Sequence, residues 1–398
     1  MSSRADADSV ADVGLLTPVA AGTVGERLTS DRAVVDAMIR FESALLRVLV
    51  LYGIAPATAA AAVADAIAAS DVDPRTLALA APVEAAPVLP LVERLRADAP
   101  DEVRPWIHFG ATTQDVVDTA LMLVAQDVLR QVDSDLGRLA ATLAELVREH
   151  RGVPLVARTL TQHAMPTTLG MRIAGWLSGV HDAVDAIRAA PAPPVSLGGP
   201  VGTAAAYGAD GPAVVAALAA ELDLAAPTVS WHTRRTPIAA IVHTLLATGA
   251  ACGKIAADVL VMAQSELGEV REAEGGRSSA MSHKANPAQS VLIAAAAREL
   301  GPLASVVQAS AVTDSERPAG AWHAEWQPLR WLLRLGSATA ERTAAMAAGL
   351  RFDHAAMERN LGQLVAAVDA DESWVATQTE STSAWIDRVL AQHEAMFP

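Results

Sequence analysis

The segment Gly275 to Pro287 reads GGRSSAMSHKANP and gathers glycines, serines, a histidine, a lysine and an asparagine between two helical stretches. Paired glycines give such a segment hinges. Ser278 offers a proton-transfer group, Lys284 a cation and Asn286 an amide, all of use to one anionic ligand. By composition alone the simplest description is a flexible polar inter-helix loop. The same residues also describe a mobile lid.

Three further blocks carry polar groups at informative spacing. His108 to Ala120 reads HFGATTQDVVDTA, in which a glycine precedes Thr112 and Thr113 at an expected helix start. Hydroxyls and unpaired backbone N–H groups there suit an anion. An ordinary N-cap, with Asp115 complementing the helix dipole, uses the same residues and is compatible with that role. Arg158 to Gly170 reads RTLTQHAMPTTLG. Pro166 is expected near the start of a helix carrying Leu169, Ile173 and Trp176 on one face. A lone histidine near a helix start, His163, is more often a satisfied polar residue than a catalyst. Glu316 to Trp326 reads ERPAGAWHAEW, and its two tryptophans, four apart, are expected to share a helix face. The tract from Ser196, SLGGPVGTAAAYG, suggests a phosphate loop, but no strand precedes it and no Lys-Ser/Thr ends it, so a nucleotide site is rejected.

The elements that must position these groups are helical. Apolar residues make up 52% of the 398, charged residues 19%, and alanine, the best helix former, is abundant while aromatics are scarce. Thr29 or Ser30 can cap a helix bearing Val34, Val35, Met38, Phe41 and Leu45 at helical spacing. One long helix, or two in close succession, is expected from Gln114 to His150. Others are expected from about Pro237 to Leu267 and from about Ala288 to Val312. No sustained alternation bounded by hairpin turns is evident, so β-structure is expected to be minor.

The net charge of −15 argues against binding a phosphate backbone, and no nucleic-acid partner is expected. Ile238 to Met262 is apolar enough to raise the membrane question. His243, Lys254 and Asp258 interrupt it without basic flanks, so a helix buried inside a bundle or oligomer is expected, and no membrane. The single cysteine, Cys252, cannot form an internal disulfide and is expected to be buried, in keeping with a reducing cytoplasm. Met1 to Val13 is polar, lacks a secretory apolar run and is expected to be a disordered lead-in.

Taken together, the blocks resemble the fumarase/aspartase superfamily, and within it the bacterial 3-carboxy-cis,cis-muconate cycloisomerases. The first segment is similar to the superfamily loop GSSxMPxKxNP, with Ser278, Ser279, Met281, Lys284, Asn286 and Pro287 in order; Arg277 replaces a glycine and Ser282 the proline. Arginine would be strained if that position required positive φ, and losing the proline should loosen the open loop. The second block resembles the TSxD segment, with Thr113 in the serine position. In the third, Leu160 occupies the histidine slot of THxQ while Gln162 remains, a departure typical of cycloisomerases. The Glu316 block is similar to a stretch of the same branch.

The resemblance implies Ser278 as catalytic base, with Lys284 beside it and His163 as a further candidate for proton transfer. It implies substrate contacts from Thr112, Thr113, Gln114, Gln162, Ser279, Met281, Asn286 and Arg317, the last as a bidentate carboxylate clamp. It implies an all-α, fumarase/aspartase-like three-domain fold: an N-terminal helical domain over 1–105, a central long-helix bundle over 106–345 and a shortened C-terminal helical domain over 346–398. Also implied are a homotetramer whose active sites are shared between subunits, a small di- or tricarboxylate substrate, and no metal or other cofactor. The expected reaction is lactonisation of 3-carboxy-cis,cis-muconate to 4-carboxymuconolactone, in aromatic-acid catabolism. The alternatives are a related lyase acting on nitrosuccinate or adenylosuccinate, a non-catalytic structural homologue of the crystallin kind, and a carboxylate-binding helical module.

Overall fold

The computed structural model describes residues 13–59, 66–67, 69–273, 275–277, 280–281 and 284–397. The expected lead-in before Val13, Ser278, Ser279, Ser282 and His283 lie outside the described residues.

The chain is built almost entirely from helices. The N-terminal part holds α1 (Val24–Leu28), α2 (Asp31–Leu51), α3 (Pro74–Glu84) and α4 (Val88–Asp98). Ser30 caps α2, its hydroxyl accepting from the Ala33 N–H at 3.1 Å. The segment from Gln114 onward is one helix, α5 (Thr113–Glu149), because no proline and only Gly137 interrupts it. A hairpin of β1 (Pro154–Thr159) and β2 (Gln162–Thr168) follows, and then α6 (Leu169–Ala189) and α7 (Gly211–Leu222). Next come α8 (Thr236–Met262), the short strands β3 (Val270–Arg271), β4 (Gly276–Arg277) and β5 (Ala285–Asn286), and α9 (Ala288–Ser310). The chain closes with α10 (Ala321–Ala348), β6 (Arg351–Phe352), α11 (His354–Ala367), α12 (Glu372–Thr379) and α13 (Thr382–Met396).

Five helices, α5, α6, α8, α9 and α10, pack side by side as the central bundle. Small residues let them approach. A side chain at Gly249 would collide with Leu300, and one at Gly336 would meet Leu245 at 2.8 Å. Helix α2 packs on α5 and α7 packs on α2, while α11 rests on β1 and α13 on α5 and α6. Apolar residues from Val19 to Leu390, including Ile386 of α13, form one continuous core through all three expected segments. The end expected for the central segment, at 345, falls inside the last turn of α10.

One expectation is corrected. Pro166 and His163 lie in β2, not at a helix start; α6 begins at Leu169, capped by the Thr168 hydroxyl, which accepts from Met171 N–H at 3.1 Å. Proline is tolerated there because Val156 faces it across the hairpin at a point where the register breaks. Within one chain α8 is buried on only part of its surface. Helices α8 and α9 are each long and apolar enough to cross a membrane, yet within the chain only 50% and 39% of their most apolar stretches are buried.

Candidate active site

At the N-terminal end of α5, Thr112 is the N-cap residue, in extended conformation, and Thr113 opens the helix. Asp115 holds this turn. Its carboxylate is fully buried and accepts from Thr112 N–H at 2.9 Å, Gly198 N–H at 2.7 Å, Gly199 N–H at 2.9 Å, the Ser196 hydroxyl at 3.1 Å and His232 Nε2 at 2.7 Å. One carboxylate thus ties the glycine-rich tract to the helix start. It does more than complement the dipole, since it satisfies the buried donors of the tract as well.

Arg317 lies exposed beside this turn, donating to the Thr112 hydroxyl at 2.9 Å and to the Pro200 carbonyl at 3.3 Å. Thr112, Thr113 and Arg317 are therefore gathered as expected, offering a guanidinium, hydroxyls and free helix N–H groups at one place. Gln114 is not exposed there. Its side chain is buried, donating to the His232 carbonyl at 2.8 Å and to Asp118 at 3.2 Å. Such a position supports the turn and leaves the amide no open face toward a ligand.

Behind the turn lies a charged cluster that the sequence did not reveal. Arg235 donates to both oxygens of Asp118, at 2.8 and 3.0 Å, and also to Glu325, and stacks over Trp231 with its guanidinium 4.7 Å from the ring centre. Trp322 Nε1 donates to Asp118 at 2.9 Å, and the ring meets Trp326 edge-on at 4.6 Å. The Trp pair does share a helix face. Burial pushes the Glu325 carboxyl up to about 6 against the pull of Arg235. Such a paired network fixes α10, and with it Arg317, against α5. Nearby, His108 Nδ1 donates to the Glu42 carboxylate at 2.7 Å; burial disfavours its cation, but the Glu42 carboxylate outweighs this and raises its pKa.

The opposite end of the bundle carries the remaining candidates. Strands β4 and β5 pair, Gly276 with Asn286 and Arg277 with Ala285, and so close the base of the expected lid. The glycines allow close approach and are not left-handed hinges: a side chain on Gly275 would meet Ala285 at 3.0 Å, and one on Gly276 would meet Ala288 at 2.8 Å. Arg277 has no positive φ, so the expected strain is absent. Glu272 anchors the far side, accepting from Gln289 and Ser290 N–H groups at 3.0 and 2.8 Å at the start of α9. Lys284 and Met281 are exposed, and Asn286 is half-buried. Asn286 lines a cleft of about 460 Å³ together with Arg271 and Arg351, which face each other across the β3–β6 pair. Neither arginine lay in a recognisable block.

The β1–β2 hairpin stands at this same end. Arg158 makes a two-pronged pair with the buried Glu269, at 2.6 and 2.9 Å, and Asn360 donates to the same carboxylate at 2.9 Å. Leu160 and Thr161 form the two-residue turn, both with positive φ, and Leu160 is 95% exposed. Thr159 pairs with Gln162 and Arg158 with His163. Successive pairs face opposite sides of a hairpin. His163 therefore lies on the opposite side of the hairpin from Gln162.

Helix α5 spans 37 residues, about 55 Å at the standard rise, between the two ends. Within one chain, Lys284, Met281, Asn286 and Gln162 are thus remote from Thr112, Thr113 and Arg317.

Residues 17–300 match the family model described as Lyase. The chain is 43% identical to nitrosuccinate lyase of Streptomyces davaonensis, covering 90% of this chain and 79% of that protein. It is 37% identical to 3-carboxy-cis,cis-muconate cycloisomerase of Bradyrhizobium diazoefficiens, over 87% and 79%. The crystal structure of 3-carboxy-cis,cis-muconate lactonizing enzyme from Pseudomonas putida superposes with a TM-score of 0.86 at 28% identity, covering 97% of this chain and 100% of that one.

Proposed function

The chain belongs to the lyase family of the fumarase/aspartase superfamily, and we propose that it eliminates, or adds, a group across the bond next to a substrate carboxylate. The observation that carries this is the meeting of Arg317, Thr112 and Thr113 at a helix start, a fixed set of donors for a carboxylate. As a proton leaves the carbon beside that carboxylate, the electron pair spreads onto its oxygens, and donors already in place stabilise the dianion-like form. Ser278 is the proposed base, with Lys284 and Asn286 from the same segment holding a second carboxylate.

The first reading is nitrite elimination from nitrosuccinate. The C–H bond beside one carboxylate breaks, its electrons form the double bond, and the C–N pair departs with nitrite. The greater identity to the nitrosuccinate lyase favours it. The second is lactonisation of 3-carboxy-cis,cis-muconate, in which a substrate carboxylate oxygen attacks the diene and the resulting carbanion is protonated. The Glu316–Trp326 block, Leu160 and the fold likeness favour that one. The two separate cleanly in an assay. Nitrite release supports the first, and loss of the diene absorbance supports the second. A folded protein that does neither at high enzyme concentration contradicts both.

The proposal requires more than one copy of the chain. Segments about 55 Å apart along one bundle can meet only when another copy lies antiparallel beside it. The uncovered apolar stretches of α8 and α9 supply a surface for that association. A homotetramer is the proposed assembly.

A further inference from the structure

The C-terminal helices meet the bundle along a seam that holds two pairs of histidines. His181 of α6 lies against His393 of α13, the rings stacked with centres 5.5 Å apart and Nε2 to Nδ1 at 3.4 Å. His150, at the end of α5, meets His354 of α11 edge-on, with Nδ1 to Nε2 at 3.2 Å. His181 and His150 are buried on the bundle side, and each has its partner on the C-terminal side. An N–H···N contact needs a lone pair on one ring, so it is lost once both rings carry protons.

The neighbours only partly favour charge on these rings. At the first pair, Gln392 and Glu394 of α13 and Asp182 and Asp185 of α6 favour a cation, whereas Arg148 of α5 opposes it. Phe397 packs against both rings. At the second pair, Glu149 approaches His150 at 3.8 Å, Phe352 meets its ring edge-on, and Glu358 and Glu372 line the same cleft as His354. Burial prevails at His181, His393 and His150 and holds each below the ordinary histidine range; the partner ring acts in the same direction at His181 and His150. The seam also carries Arg148–Glu394 at 3.2 Å and Arg151–Asp387 at 2.7 Å, both exposed. Carboxylates and guanidinia ordinarily titrate outside the range of about pH 5–8, so the histidines are the groups that change charge there.

We propose that the two histidine pairs form an acid-released latch: proton uptake below neutral pH parts α11, α12 and α13 from the bundle while the bundle stays folded. A histidine buried neutral binds fewer protons than the same residue in the opened segment. The latch is therefore fully closed above the ordinary histidine value of about 6.5, and it weakens as pH falls from there through the lower folded values. Each such histidine weakens it by up to about tenfold per pH unit. Opening also frees the hairpin, because α11 rests on β1 and Asn360 shares Glu269 with Arg158. The latch rests on neither reaction proposed above.

Hydrogen–deuterium exchange, read by mass spectrometry on the full chain in its native assembly, tests this at about pH 7.5 and 5.5, on either side of the ordinary histidine value. With the intrinsic pH dependence of exchange removed, protection over α11, α12 and α13 should fall reversibly by about tenfold or more at the lower pH. Helices α5 and α10 should keep theirs. His181→Gln with His393→Gln, and His150→Gln with His354→Gln, should each blunt the fall, and all four together should flatten it. Where a variant at a buried position does not fold, His354→Gln with His393→Gln changes only the outer ring of each pair and should blunt the fall as well. The proposal fails if wild-type protection over the C-terminal helices is the same at both pH values. It fails equally if α5 and α10 lose protection in step with them, or if the folded variants keep the wild-type fall.

Discussion

Arg317 donates to the Thr112 hydroxyl at 2.9 Å across 205 positions of sequence. The contact joins the loop before α10 to the start of α5 and puts a two-pronged donor beside free helix N–H groups. Arg317→Met should lower kcat/KM by roughly a hundredfold, in line with the loss of one fixed donor, while thermal melting stays unchanged because the residue is exposed. Arg317→Lys should fall between, keeping charge without the fork. An unchanged kcat/KM in the methionine variant would remove Arg317 from the site.

Asp115 receives five donors in the interior. Replacing it with alanine strands them together, at a cost of about 3–5 kcal/mol, comparable to breaking a buried charged pair. The urea midpoint of Asp115→Ala should drop accordingly, and that of Asp115→Asn less far. A midpoint equal to wild type would show that the glycine tract holds itself.

The His108–Glu42 pair makes stability depend on pH. The folded pKa of His108 is raised, so its contribution is full below the ordinary histidine value of about 6.5 and is lost as pH rises through the higher folded value. Glu42→Gln removes the carboxylate that raises it. The melting-temperature gap between wild type and Glu42→Gln should therefore be widest near pH 6 and shrink toward pH 9. A gap that grows with pH would contradict the pairing.

Much of this was legible in the sequence, for physical reasons. A proline-free stretch with one glycine had to give a long helix, and Thr-Thr-Gln-Asp at its start had to cap it. The hairpin was not legible. Pro166 ahead of an apolar helical pattern looks like a first-turn proline, and the turn residues Leu160 and Thr161 lack the asparagine or glycine that usually marks positive φ. The Arg235 cluster was hidden too. Helical spacing does not say which charges go inside when the partners, Asp118 and Glu325, lie 117 and 90 positions away. Arg271 and Arg351 lie outside every motif block, and only the folded chain reveals the cleft they line with Asn286.

Cys252 is fully buried in α8, and burial pushes its thiol up to about 12. It should resist a thiol-specific disulfide reagent in the native protein and react once unfolded in guanidinium. Fast labelling of the native chain would mean that α8 opens far more readily than its packing implies.

The central claim is that one reaction site draws Lys284 from one copy and Arg317 from another. Subunit mixing tests it most directly. Arg317→Met and Lys284→Met, each crippled alone, are denatured, mixed and refolded together, and turnover of the substrate identified by the assays above is measured. The account predicts that mixed oligomers regain activity neither parent shows, because some sites unite an intact Arg317 with an intact Lys284. Mixed oligomers that form and stay as inactive as their parents would contradict it.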